Sequence, residues 1–254
     1  MPTFLRLLFL FGFVVEGCLA TEQEEGARQM LAKMMQAMDG LNYQGTVALF
    51  RNGKLETMKF SHAVNGDVKQ ERLLLLNSPM REMIRNEDTV WCVYLDSKKM
   101  VIDHRPVRQS FLMDLPDDLS GLDQYYSFAI TGGEKIATLS AKVVLIEPRD
   151  NHRYARKIWI SQDNYLPLKF ELINRTGEAM EQAMFTELQV KESLPLINFN
   201  NHRNFFVQHI HKPETLPFDQ TGFVLKNLPE GFEKIQFNRI PMQGTDNPIE
   251  HLLL

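Results

Sequence analysis

Residues 41–85, LNYQGTVALFRNGKLETMKFSHAVNGDVKQERLLLLNSPMREMIR, decide the fold. The stretch holds two Asn-Gly dipeptides, Asn52-Gly53 and Asn65-Gly66, each flanked by strand-like runs. Asn-Gly is a strong signal for a two-residue hairpin loop, because both loop positions need φ > 0. A β-meander is therefore predicted here. A loop at Asn52-Gly53 places Arg51 opposite Lys54, Leu49 opposite Glu56, Val47 opposite Met58 and Gly45 opposite Phe60. Directly opposed residues share a face of the sheet. One face then carries Tyr43, Val47, Leu49, Met58 and Phe60. The other carries Gln44, Thr46, Thr57, Lys59 and Ser61, with Phe50 and Leu55 as apolar exceptions near the turn. The third strand holds four consecutive leucines, Leu73 to Leu76, so both of its faces are expected to be covered, by a helix or by a lipid-like ligand.

Outward from the meander, the 254 residues suffice for one large or two modest domains. The chain is 44% hydrophobic and 24% charged, with a net charge of -4, which gives no reason to expect a nucleic-acid partner. Arg6 precedes an apolar run over residues 7–15, and Gly17, Cys18 and Ala20 follow. That run is too short to cross a bilayer and fits the apolar region of a secretory signal, with cleavage expected after Ala20. A lipidated Cys18 is the rival reading, and Glu16, two residues ahead of it, matches a lipidation signal poorly. No later run approaches ~18 unbroken apolar residues, so no transmembrane segment is expected in the mature chain. Cleavage would leave Cys92 without a partner for a disulfide.

Residues 22–38 are predicted as one helix, with Ala27, Met30, Leu31, Met34 and Met38 on one stripe and Gly40 ending it. Strand-like runs follow, with turn signals between them. The expectation is about ten antiparallel strands without βαβ alternation, making a curved sheet or open barrel covered by helix. Residues 117–126 read as a short helix packed through Tyr125, Tyr126 and Phe128. Residues 191–219 read as a connection rich in Asn, His and Pro, and a new apolar unit begins near Phe223.

The chain lacks a Gly-rich phosphate loop, a G-x-S-x-G elbow and an H-E-x-x-H pair, so no enzyme is expected. His202, His209 and His211 make a weak metal pattern, and no metal or cofactor is expected. Arg149, Arg153, Arg156 and Lys157 bracket a turn and are candidates for contact with an anionic partner.

Several segments together resemble the MucB/RseB family. They are Leu41-Asn42-Tyr43 with Gly45-Thr46; Glu71-Arg72-Leu73 leading to Asn77 and Arg81-Glu82; Tyr125-Tyr126-x-Phe128; and Pro148-Arg149-Asp150 with Arg153-Tyr154. Ile158-Trp159-Ile160, Leu166-Pro167-Leu168, Glu181-Gln182 and Leu228-Pro229-x-Gly231-Phe232 continue the series. The resemblance implies an α+β protein: an unclosed antiparallel β-barrel like those of the lipoprotein carriers LolA and LolB, covered by helices, and a small C-terminal α/β domain, expected to be truncated at Leu254. The expected division is a leader over 1–20, a half-barrel over 21–190, a linker over 191–219 and a partial domain over 220–254.

The family implies a periplasmic negative regulator that binds the periplasmic part of an anti-sigma factor and shields it from proteolysis. Lipopolysaccharide or lipoprotein acyl chains would relieve that shielding. A lipid or lipoprotein carrier is the alternative. The apolar face is the expected lipid site, through Val47, Leu49, Met58 and Phe60, with Leu74 and Leu76 from the third strand. Asn227 stands where the family pattern leads one to expect an aromatic residue.

Overall fold

A computed structural model describes residues 15–77, 79–86, 89–103, 110–113, 115–116, 118–198, 204–210, 214–221, 224–233, 236–240 and 249–253. Helix α1 (Val15–Gly40) comes first. Eleven strands follow: β1 (Asn42–Arg51), β2 (Lys54–Asn65), β3 (Val68–Leu75), β4 (Arg81–Arg85), β5 (Val90–Tyr94), β6 (Lys99–Asp103), β7 (Tyr126–Ile136), β8 (Leu139–Pro148), β9 (Ala155–Ser161), β10 (Pro167–Ile173) and β11 (Ala179–Lys191). Four more complete the series: β12 (Phe206–Ile210), β13 (Glu214–Leu216), β14 (Gln236–Ile240) and β15 (Ile249–Leu253).

Twelve strands form one sheet in the order β12-β6-β5-β4-β3-β2-β1-β11-β10-β9-β8-β7. Every pairing is antiparallel except β12 against β6, which is parallel. The edge strands β7 and β12 do not pair, so the sheet is unclosed. A second sheet holds β13-β14-β15. The stretch 191–219, read as a connection, thus contributes β12 to the large sheet and β13 to the small one.

The β1–β2 register is the predicted one, with Val47 opposite Met58 and Gly45 opposite Phe60. Asn52 and Gly53 sit at φ 52° and 72°, the paired positive values that their loop requires. The second loop is displaced by one residue. Asn65 still pairs with Val68, so Gly66 and Asp67 make the turn, with Gly66 at φ 60°. Asp67 does not adopt positive φ, so the geometry asks for glycine at the first loop position only.

α1 begins at Val15, ahead of the predicted start, and residues 1–14 of the expected leader lie outside the described residues. Leu41 N–H closes its last turn on Ala37 O at 3.0 Å. Ala27, Leu31 and Met34 are fully buried against Phe128, Val144, Ile146, Ile158 and Ile160 of β7, β8 and β9. Only Leu122–Gln124 of the helix expected over 117–126 is helical, as a single 3-10 turn. Tyr126 and Phe128 belong instead to β7, a strand missed from the sequence. On the outer face, Ile197 and Phe205 cover Ile84, Val93 and Met100, and Ile197 N–H donates to Gln70 Oε1 at 2.6 Å.

Candidate functional site on the concave face

The strand registers arrange the concave side of β1–β4 in rows. Tyr43, His62, Glu71 and Arg85 oppose one another in turn across β1, β2, β3 and β4. The next row is Gly45, Phe60, Leu73 and Met83, and a third runs Val47, Met58, Leu75 and Arg81. A polar row therefore borders an apolar floor. Val47, Met58 and Phe60 are buried on that floor as expected, and Leu49 is half-buried toward the turn. Leu74 and Leu76 do not belong to it. Leu74 opposes Lys59 and Glu82 on the outer face. Leu76 follows β3, is exposed, and bonds through its N–H to Thr57 O at 2.9 Å. The floor continues instead through Leu73 and Leu75. Across a two-residue loop opposed residue numbers differ in parity, so even-numbered Met58 and Phe60 must face odd-numbered leucines.

The floor is occupied by the chain itself. Ala37 and Met38 from the end of α1, Phe111 and Leu112 from a strap at residues 110–113, and Leu166 and Phe185 all pack on it. Glu71, itself buried, holds the strap. Its carboxylate accepts Ser110 Oγ at 2.7 Å and Phe111 N–H at 3.0 Å. The same carboxylate pairs with Arg85 at 2.9 Å, and the Arg85 guanidinium lies 5.3 Å from the Phe111 ring centroid. Beside it the Tyr43 phenol is fully buried. Burial first, and the Glu71 charge second, push its pKa well above the ordinary value, so it stays neutral. A hollow of about 20 Å³ remains, with Leu112, Met113, Pro167, Phe170 and Phe185 in its lining. That admits one water-sized sphere and no acyl chain.

The four cations of the turn do not converge into one patch. Arg149 donates to Asp123 O at 2.8 Å and Tyr126 O at 3.2 Å, and it pairs with Glu24 at 3.6 Å. Arg153 lies between the rings of Tyr125 and Phe232, 4.4 Å from each centroid, and is paired with Asp150. Its side chain is 9% exposed, so this guanidinium is committed within the chain and is not offered to an anionic partner. Arg156 and Lys157 are neighbours on β9 and point to opposite faces, and the Lys157 ammonium sits 4.7 Å from the Trp159 ring centroid. Cys92 is half-buried on β5, and desolvation pushes its thiol pKa up. His209 lies on β12, whereas His202 and His211 fall outside the described residues.

Residues 26–203 match the MucB/RseB N-terminal domain. The chain belongs to the MucB/RseB family. The sigma factor AlgU regulatory protein MucB of Pseudomonas aeruginosa is 30% identical over 185 residues, covering 72% of this chain and 56% of that protein. The sigma-E factor regulatory protein RseB of Escherichia coli K12 is 23% identical over 229 residues, covering 88% of this chain and 70% of RseB. Both are named as regulatory proteins. The chain thus spans little more than half the length of its MucB relative. A solved MucA/MucB complex of Pseudomonas aeruginosa superposes with a TM-score of 0.65 at 24% identity, over 89% of this chain and 75% of the solved one. A crystal structure of MucB in complex with MucA(peri) gives 0.62 at 24%, over 89% and 74%. At that identity the likeness speaks for a shared fold. No α-helix among the described residues is long and apolar enough to cross a membrane.

Proposed function

We propose that this protein is a periplasmic negative regulator of a sigma-factor pathway, which binds the periplasmic part of an anti-sigma factor and protects it from proteolysis. One observation carries the reading: residues 26–203 match the domain that defines a family whose relatives are named regulators of sigma factors. The leader over residues 1–20 would direct export, with cleavage after Ala20. Residues 21–190 would be a half-barrel of the LolA/LolB kind, 191–219 a connection that lends one strand to each sheet, and 220–254 part of a small C-terminal α/β domain. The test is direct. The mature chain, extended through a complete C-terminal domain, is titrated with the periplasmic segment of the cognate anti-sigma factor, and cleavage of that segment is followed. Binding and slowed cleavage are expected, and absence of both would refute the regulator.

Acyl chains of lipopolysaccharide or lipoprotein are the proposed signal, received on the floor formed by Val47, Met58, Phe60, Leu73 and Leu75. Entry requires that the strap leave. Two hydrogen bonds to the Glu71 carboxylate hold it, each contributing about 1.5–3 kcal/mol. Burying a methylene contributes roughly 0.8 kcal/mol, so an acyl chain must bury several methylenes to offset those bonds and the packing of Phe111 and Leu112. A carrier of the LolA/LolB type would use the same floor. It would transfer acylated protein between membranes equally well without residues 220–254, which a regulator would not.

A further inference from the structure

Three segments far apart in sequence meet at one guanidinium. Tyr125 precedes β7, Arg153 lies in the β8–β9 loop, and Glu230 to Phe232 belong to the C-terminal part of the chain. Arg153 Nη2 donates to Glu230 O at 3.0 Å while its guanidinium is stacked between the Tyr125 and Phe232 rings. Asp150, which accepts His152 N–H at 2.8 Å, pairs with it from the same loop. The approaching segment is shaped for the contact. Phe232 N–H closes a turn on Pro229 O at 3.1 Å, with Gly231 at φ 75° in its third position. A Cβ on Gly231 would stand 2.2 Å from Tyr125 Cζ, so only glycine lets the turn lie on the ring.

The position of this contact in the topology gives it a consequence. The chain leaves the large sheet at β12, one unpaired edge, and returns to it at the loops beside β7, the other unpaired edge. The described residues 214–221 and 224–229 form the connecting span between these two edges in the chain. We propose that Arg153 is the catch of that span: stacked between Tyr125 and Phe232, it fixes the return of the chain across the opening and so the placement of β13–β15 against the half-barrel. Loss of Phe232 from the stack leaves Arg153 held by Tyr125 and Asp150, so the catch can open without unfolding the loop. Its use in signalling rests on the regulator reading above; the catch itself does not.

Hydrogen exchange on the full chain tests it, with Arg153→Met and Gly231→Ala beside the wild type. Arg153→Met removes the charge and the planar stack, and Gly231→Ala drives a methyl group into Tyr125. Both are expected to raise exchange of the amides at 228–232 by about tenfold or more while the β8 and β9 amides keep their rates. The Phe232 amide is the reporter, since its bond to Pro229 depends on the turn. Wild-type exchange at 228–232 in either folded variant overturns the catch. Should Arg153→Met fail to fold, Phe232→Leu, which removes one ring and leaves no unpaired charge, is read by the same criterion. Titration with the anti-sigma segment then separates the two claims. A changed affinity in the loosened variants supports the signalling role, and an unchanged one overturns it. A wild-type chain that binds nothing sinks the regulator reading and leaves the exchange result for the catch intact.

Discussion

Leu112→Ala tests whether the concave face is filled by the strap. Leu112 packs against both the α1 cluster and the Phe60 cluster, and it borders the 20 Å³ hollow. Truncation removes three carbons, worth ~2.4 kcal/mol if fully buried. Half-burial reduces that to ~1.2 kcal/mol. The enlarged void adds ~0.024 kcal/mol per Å³, or ~1 kcal/mol for ~40 Å³ left unrelaxed. The expected loss is about 2 kcal/mol. With a urea slope near ~2.5 kcal/mol per M, the midpoint falls by ~0.8 M at unchanged slope. Phe50→Ala on the outer face is the control: Phe50 is 42% exposed and should cost under ~1 kcal/mol. If Leu112→Ala costs no more than Phe50→Ala, the strap is not seated on the floor and the prediction fails.

Two further predictions concern single residues. A Cβ on Gly45 would meet Glu187 O at 2.1 Å and Phe185 Cδ1 at 2.8 Å, so Gly45→Ala should disrupt the β1–β11 ladder beside its bulge. We expect a loss above ~3 kcal/mol in thermal unfolding, against ~1–2 kcal/mol for Gly53→Ala, which has open space and suffers only from φ 72°. A melting temperature for Gly45→Ala equal to that of Gly53→Ala would contradict the close approach. Cys92 should react with iodoacetamide more slowly than free cysteine at pH 8, since burial keeps it a thiol. Its pKa is raised on folding, so the stability it contributes is present while the thiol is neutral and is lost as pH rises through the folded value. Alkylation as fast as that of free cysteine would show the site to be open.

The sequence told most where the backbone constrained the side chain. Asn52-Gly53 occupies two positive-φ positions, and from it nine opposed pairs of β1 and β2 follow without error. The β7–β8 hairpin shows the reverse. Its loop is Ala137-Thr138, at φ 47° and 71°, residues that carry no signal for such angles. Packing rather than turn preference holds that loop, so nothing in the sequence marks β7 as a strand. Residues 110–113 have no regular pattern at all. Their seat depends on Glu71, about forty positions away, and no local reading connects the two.

The polar row was legible only in part. The register that pairs Val47 with Met58 also pairs Tyr43 with His62, but only the loop at Gly66-Asp67, one residue beyond the expected one, brings Glu71 rather than Lys69 beside His62. A buried carboxylate costs several kcal/mol unless it is paired and hydrogen-bonded, so Glu71, buried beside the apolar floor, calls for partners. Arg85 is one, and the two donors of the strap are the others. Displacing the strap therefore removes two of the hydrogen bonds that make Glu71 tolerable in the core. An acyl chain alone would bury methylenes and leave that carboxylate short of donors. A ligand that opens this face must either bring hydrogen-bond donors to Glu71 or admit water there. The apolar floor gives the capacity to hold a chain, and the single polar row beside it decides which chains can stay.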